Sequence, residues 1–286
     1  MRNKGEAFRS LVARMKDLPS IPSSVARITR ILENPESSAK DVSEALGSDQ
    51  SLASKVLKVV NSAYYGFPRR VDTLEHAVTV LGFRPIQELV LVTSIFAEVA
   101  RKGEPLALDR KRFWRHAVGT ALASKVVARL TGIMKGETVF LAGLLHDIGK
   151  VFLDAYLHDE YLRVIELCQR EELLILEAEN RLLGVDHTAF GYWLAEEWNL
   201  PRNLTAVVVH HHHPPRDTDH YILACLVHLG DILARALEFG YGGDELIPAI
   251  NRQAWASLNL DARLLEQALV EILEESETDG LWYSVF

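Results

Sequence analysis

Cysteine is scarce. Cys168 and Cys225 are the only two in 286 residues, too few for a disulfide framework, and this usage favours a reducing, cytoplasmic compartment. Long apolar runs are also missing. The nearest, Leu89 to Ala100, holds Thr93, Ser94 and Glu98 and stays below the ~18 residues needed to span a bilayer. The N-terminus (MRNKGEAFRSLVARMKDLPS) has basic residues but no apolar core of a secretory signal. No stretch alternates apolar and polar residues long enough for a strand, and no fixed-period repeat appears. What remains is a chain with 48% hydrophobic and 24% charged residues, enough for one large domain or two ordinary ones.

Positive charge is short and unevenly placed. Residues 1–72 carry 12 Lys and Arg against 8 Asp and Glu, whereas the rest is strongly acidic and the whole chain sums to −8. An acidic body argues against general adhesion to nucleic acid or anionic membrane. The segment Asp41–Lys58 has the spacing of a helix-turn-helix, but Lys55, Lys58, Arg69 and Arg70 make a thin basic footprint, and nucleic acid is not the expected partner.

Apolar spacing is helical almost everywhere: Val25, Ile28, Ile31 and Leu32, then Leu52, Val56, Val59 and Val60. Asp72 with Glu75 reads as an N-terminal capping pair, and Gly82 as the stop of that helix. Asp49 reads as a second cap, with Gly66 a stop beyond it, and Pro85 as a first-turn proline ahead of Ile86–Val99. Twelve to fifteen helices are expected. The fold class is all-α, a multi-helix bundle preceded by an N-terminal helical subdomain. Gly103 and Pro105 interrupt periodicity in Arg101–Asp109, which places a boundary between residues 1–105 and 106–286. A last amphipathic helix near Asp261–Ser276 should turn Leu264, Leu265, Ala268, Ile272 and Leu273 to the body. Trp282, Tyr283, Val285 and Phe286 should dock on the body or a partner subunit.

Ten of the eleven histidines lie from His116 onward. His146–Asp147 ends an apolar run within Val139–Val151 (VFLAGLLHDIGKV), where burying an imidazole and a carboxylate unpaired would be costly. Coordination of a cation would use those lone pairs, and adjacent imidazole and carboxylate suit Fe, Mn, Zn, Co or Ni. His116, His187, the run His210–His213 and Asp231 stand on other apolar helical segments. Each alone has a plainer reading: a helix histidine satisfied by a carbonyl, a solvated helix end, or Asp231 paired with Arg235 at i, i+4. Their succession on separate helices is what random placement seldom produces.

The order His116…His146–Asp147…His187…His211–His212…Asp231 resembles the metal-dependent HD phosphohydrolase superfamily. The first half is similar to one branch, the HDOD (HD-related output domain) proteins of bacterial signalling, through Leu18–Pro22 (LPSIP), Asp49–Leu52, Lys55–Leu57, Asn61–Gly66 (NSAYYG) and Ala77–Gly82 (AVTVLG). The resemblance spans roughly residues 16–235. It implies metal ligation by His116, His146, Asp147, His187, His211, His212 and Asp231, with Asp147 bridging two metals. The histidine pair is placed by counting from Leu200–Pro201, a count that admits a slip of one residue. It also implies a centre of one or two divalent transition metals; if that centre is catalytic, Asp147 and, one turn after His146, Lys150 are its expected catalytic residues. Lys150 could face a phosphate or simply meet helix-end carbonyls. Asn61, Tyr64 and Tyr65 read as cap and packing residues.

Two departures bear on activity. Pro214–Asp217 (PPRD) stands where HD-GYP phosphodiesterases have Gly-Tyr-Pro, and Arg112 stands where trinuclear members place a glutamate. Both argue against a third metal and against cyclic di-GMP specificity. Two functions follow as expectations. One is hydrolysis of a phosphomonoester or phosphodiester, on a phosphate-containing small molecule or nucleotide. The other is a non-catalytic signalling or scaffold module in which any metal is structural. Signalling proteins are the expected partners in either case.

Overall fold

The computed structural model describes residues 27–28, 30–32, 34, 36–61, 67, 70–101, 107–134, 136–216 and 218–278. Among these residues there is no strand, and fourteen helices are delimited. They are α1 Ala39–Gly47, α2 Gln50–Val60, α3 Leu74–Leu81, α4 Phe83–Arg101, α5 Arg110–Thr131, α6 Gly136–Leu145 and α7 Ile148–Tyr156. They continue with α8 His158–Glu171, α9 Ile175–Leu182, α10 His187–Glu197, α11 Arg202–His210, α12 Tyr221–Ala236, α13 Arg252–Ser257 and α14 Ala262–Thr278. The fold is all-α. No helix among the described residues is long and apolar enough to cross a membrane.

Contacts divide the chain into two compact units, with α1–α4 in one and α5–α13, plus α14 as far as Leu273, in the other. In the first unit, α1 opens on a reciprocal cap: Ser38 Oγ accepts from the Asp41 amide, and Asp41 accepts from the Ser38 amide. Asp49 caps α2 as expected, accepting from the Leu52 amide. Asn61 closes α2: its side chain donates to the Leu57 and Val71 carbonyls and accepts from the Val71 amide. Asn61 is therefore a cap and a tie between segments. Val42, Leu46, Val56, Val59, Ala77, Val78, Ile86 and Leu89 form the core beneath.

Three details differ from expectation. The cap of α3 is Thr73, whose hydroxyl accepts from the His76 amide, and not Asp72; Gly82 ends that helix at φ 88°. Either side chain is chemically able to cap, and extended backbone at Thr73 puts its hydroxyl at the free amides. Helix α4 begins at Phe83, so Pro85 is its third residue, where an amide has no intrahelical acceptor anyway. Along α14, Ala268 and Ile272 are buried, but Leu273 is 46% exposed because it lies a hundred degrees round the helix from Ile272. Gly66, Tyr64, Tyr65, residues 102–106 and Trp282–Phe286 lie outside the described residues.

The second unit is built on α5, whose Ala117, Ala121, Ala123, Val126 and Val127 are fully enclosed. Small residues permit close crossings there. A Cβ on Gly230 of α12 would fall 2.0 Å from Ser124 Oγ and 2.8 Å from the Thr120 carbonyl oxygen of α5. That crossing brings the middle of α12 against the middle of α5. Cys168 and Cys225 are buried and unpaired.

Candidate metal centre

The apolar helix α6, with Leu141, Leu144 and Leu145 buried, ends at Leu145; α7 begins at Ile148. His146 and Asp147 occupy the corner between them. Asp147 stands at the N-cap position of α7 but makes no cap bond, so its carboxylate is turned elsewhere. Two residues on, a Cβ at Gly149 would fall 2.0 Å from the His187 carbonyl oxygen. A bare glycine thus lets the start of α7 lie on the start of α10 and carries Asp147 to His187. His116 comes from the second turn of α5 and Asp231 from α12, beside the Gly230 crossing. His211 and His212 follow the end of α11.

These side chains converge in two groups about one carboxylate. His116, His146 and Asp231 form the first: His116 Nε2 is 3.2 Å from Asp231 Oδ1 and 3.5 Å from Asp147 Oδ2, and His146 Nε2 is 3.1 Å from Asp147 Oδ2. The second comprises Asp147, His187, His211 and His212. Asp147 Oδ1 lies 3.4 Å from both His187 Nε2 and His211 Nε2, and His187 Nε2 is 2.9 Å from His212 Nε2. All seven sequence-predicted ligand positions are therefore brought together, with Asp147 presenting one oxygen to each group. All are buried except His212, which is half-buried.

The outward faces of three of the rings are already committed. His146 Nδ1 lies 2.7 Å from the Gly143 carbonyl and His211 Nδ1 3.1 Å from the Val207 carbonyl, while His187 Nδ1 lies 2.6 Å from Glu179 Oε2. Each of those nitrogens must donate, which leaves Nε2 as a lone pair directed inward. His116 Nε2, His146 Nε2, His211 Nε2 and Asp147 Oδ1 are buried with no hydrogen-bond partner. Buried polar atoms are normally satisfied, and four orphans facing one another are chemically suited to a cation. Protonation states agree for Asp147, Asp231, His211 and His212, whereas His116 is raised against its burial by the Asp147 and Asp231 carboxylates and must give up a proton to ligate. Burial would raise Asp147, but His146, Lys150 and His116 hold it well below the usual carboxylate range. Burial would likewise raise Asp231, but Arg235 and His116 keep it well below. Burial pushes His211 down to about 4, and burial with His211 and His187 alongside lowers His212 as well. Ionised carboxylates and neutral imidazoles are the ligating forms. The residues fit a divalent metal.

Lys150 is fully buried and donates to Asp147 Oδ2 at 2.6 Å and to the Gly242 carbonyl at 2.9 Å. Asp231 also makes the i, i+4 pair with Arg235, so its plainer reading and its place in the cluster hold together. His210 and His213, the flanking pair, are outside both groups. Sequence reading missed Glu179, which accepts from the His187 ring and amide and from Tyr161 Oη. It also missed Asp244, which accepts from Arg235 and from the Ile175 amide, and His228, whose Nδ1 lies 2.8 Å from the His211 carbonyl. Glu179 stands eight residues before His187 across a helix break, and no periodic signal links positions so related.

A helical bundle with an imidazole–carboxylate cluster at its centre defines an HD-type protein. The sequence profile of the HDOD domain matches residues 18–214, and the chain belongs to the HDOD family. An uncharacterized protein of Treponema pallidum is 27% identical over 80% of this chain and 44% of its own length. The chain spans less than half the length of the curated relatives it matches. Among solved structures, an HDOD domain protein of unknown function from Geobacter sulfurreducens superposes with a TM-score of 0.78 at 26% identity, covering 98% of each chain. Two more distant structures share the fold. A candidate phosphohydrolase of Shewanella amazonensis SB2B has a TM-score of 0.71 at 23% identity, over 96% of this chain and 97% of that one. A candidate signal transduction protein of Marinobacter aquaeolei VT8 has a TM-score of 0.71 at 21% identity, over 99% and 66%.

Proposed function

We propose that this HDOD protein carries a divalent-metal centre that hydrolyses a phosphomonoester or phosphodiester in a signalling setting. One observation carries the reading: four buried donor atoms, on His116, His146, Asp147 and His211, face one another without partners. His116, His146, Asp231 and Asp147 Oδ2 would hold one cation, and Asp147 Oδ1, His187, His211 and His212 the other. The mixed nitrogen and oxygen set suits Fe, Mn, Zn, Co or Ni. Bound there, such a cation supplies Lewis acidity toward a phosphoryl oxygen.

The chain's own residues contribute the rest. Asp147 spans both groups and sets their distance. Lys150, anchored to the Gly242 carbonyl, keeps an ammonium at the Asp147 oxygen, placed to offset charge gathering on a phosphoryl group as the ester bond breaks. Glu179 holds the His187 ring with its Nε2 lone pair inward. Half-buried His212 marks the side from which a phosphate-containing small molecule or nucleotide would approach.

The length of the curated relatives favours a second reading, a signalling module joined to other segments, with the metal as a structural tie. One experiment separates the two. Protein purified without added metal is analysed for metal content, then loaded with Mn or Fe and assayed on aryl phosphates and cyclic dinucleotides beside Asp147→Ala. Bound metal with turnover above that control is expected. Bound metal without turnover supports the module with a structural metal, and failure to bind any metal overturns the catalytic reading and leaves a metal-free module.

A further inference from the structure

We infer, on the metal reading above, that His228 is the positioning residue of the His211–His212 pair: it holds the peptide carbonyl between these two ligands and so sets where their rings point.

The pair poses a conformational problem. Helix α11 ends at His210, and both ligands stand beyond it on a bent corner that runs into Pro214 and Pro215. Successive residues of a helix diverge by about a hundred degrees. Here the two ring centroids are 4.1 Å apart, and both side chains reach one group with Asp147 and His187. The peptide between them sets ψ of His211 and φ of His212, and with those the angle between the side chains. Its carbonyl belongs to His211, past the last turn of α11, where no continuing helix offers a donor.

His228 supplies one. Its Nδ1 lies 2.8 Å from the His211 carbonyl oxygen, and because a carbonyl only accepts, Nδ1 carries the proton. On the far side of the ring, Nε2 accepts from the Asn251 amide at 3.0 Å, which requires a lone pair there. The two bonds agree on a single neutral tautomer, and turning the ring breaks both. The ring is buried, and Asn251 is itself fixed at the start of α13, where its side chain accepts from the Gln253 and Ala254 amides. His228 also stands one turn before Asp231 on α12, so the two project from one face of that helix. One helix thus delivers a ligand to the His116 group and the tie that orients the pair in the other. A ring that only filled space would need no bond to a ligand's own backbone.

Asparagine and glutamine separate the two bonds. The Asn amide places its donor near the position of Nδ1, and the Gln amide places its oxygen near that of Nε2. H228N should therefore keep the tie to the His211 carbonyl, and H228Q only that to Asn251. Each variant, made in the full chain and stripped by chelator, is titrated with Zn(II) against a competing chelator, with unfolding of the stripped protein followed in parallel. H228N is expected to bind Zn(II) within about three-fold of the parent, and H228Q and H228L about ten-fold or more weakly. A purely structural ring would not rank Asn above Gln, so equal affinities, or tighter binding by H228Q, would overturn the inference. A second readout needs no variant to fold. Nitrogen NMR of the histidine-labelled parent should show His228 protonated at Nδ1 with and without Zn(II), while the signals of His187, His211 and His212 move on loading. A proton on His228 Nε2 would overturn the inference while leaving the metal site standing. A parent that binds no Zn(II) would overturn the metal reading itself.

Discussion

Glu179 illustrates what a single buried side chain does for the cluster. Its carboxylate takes three donors, the His187 ring, the His187 amide and Tyr161 Oη. Glu179→Gln keeps the shape but weakens the acceptor and introduces an amide beside the ring. Metal affinity should fall by roughly 10–100-fold, measured against a competing chelator, with the fold retained. An unchanged affinity would mean that His187 needs no such orientation. At the same scale, His211 makes a pH prediction for the metal-free chain. Its imidazole is moved from 6.5 to about 4 by burial, so as pH falls below 6.5 the unfolded chain takes a proton that the folded chain refuses. Stability therefore declines between those values, by about 3 kcal/mol in full, and the lowered His212 adds the same sign. His116 works the other way. Despite burial, the neighbouring Asp147 and Asp231 carboxylates raise it, so its contribution is present below 6.5 and fades as pH rises through the raised value. Urea unfolding of chelated protein should show a pH slope near one proton smaller in His211→Asn, and identical slopes would contradict the assignment.

At the level of elements, two glycine substitutions separate crowding from local propensity. Gly149→Ala puts a methyl 2.0 Å from the His187 carbonyl, backbone against backbone, so α7 and α10 must part. A loss of about 1–3 kcal/mol or more is expected in thermal unfolding, with weaker metal binding because Asp147 withdraws from His187. Gly47→Ala meets nothing within 4 Å at the end of α1 and should be neutral or stabilising by up to about 1 kcal/mol. A cap prediction runs beside these: Thr73→Ala should cost about 1 kcal/mol and Asp72→Ala much less. Periodicity and caps make most helices legible in the sequence, because both are local. The α3 cap falls one residue beyond its expected place, since backbone angles, not residue type, decide which neighbour caps. The ligand set is legible as residue types on separate apolar segments. Its convergence is not, because it depends on the close crossings at Gly149 and Gly230, and a glycine in sequence does not name the backbone it will meet.

For the whole molecule, the division into two units means that metal-linked stability should be local. The cluster draws on α5, on the α6–α7 corner, on α10, on the end of α11 and on α12, all within the second unit. A ligand that binds only folded protein stabilises it by about 2.7 kcal/mol at a hundred times its dissociation constant. That free energy protects the segments whose opening would release the ion, and leaves untouched any segment that can open with the site intact. Helices α1–α4 hold their own core and contribute no side chain to the cluster. On adding Mn(II) to chelated protein, hydrogen exchange should slow in α5–α7 and α10–α12, while α1–α4 exchange as before. Uniform slowing across both units would mean instead that they open as one body, and that an ion bound in the second unit is felt throughout the first.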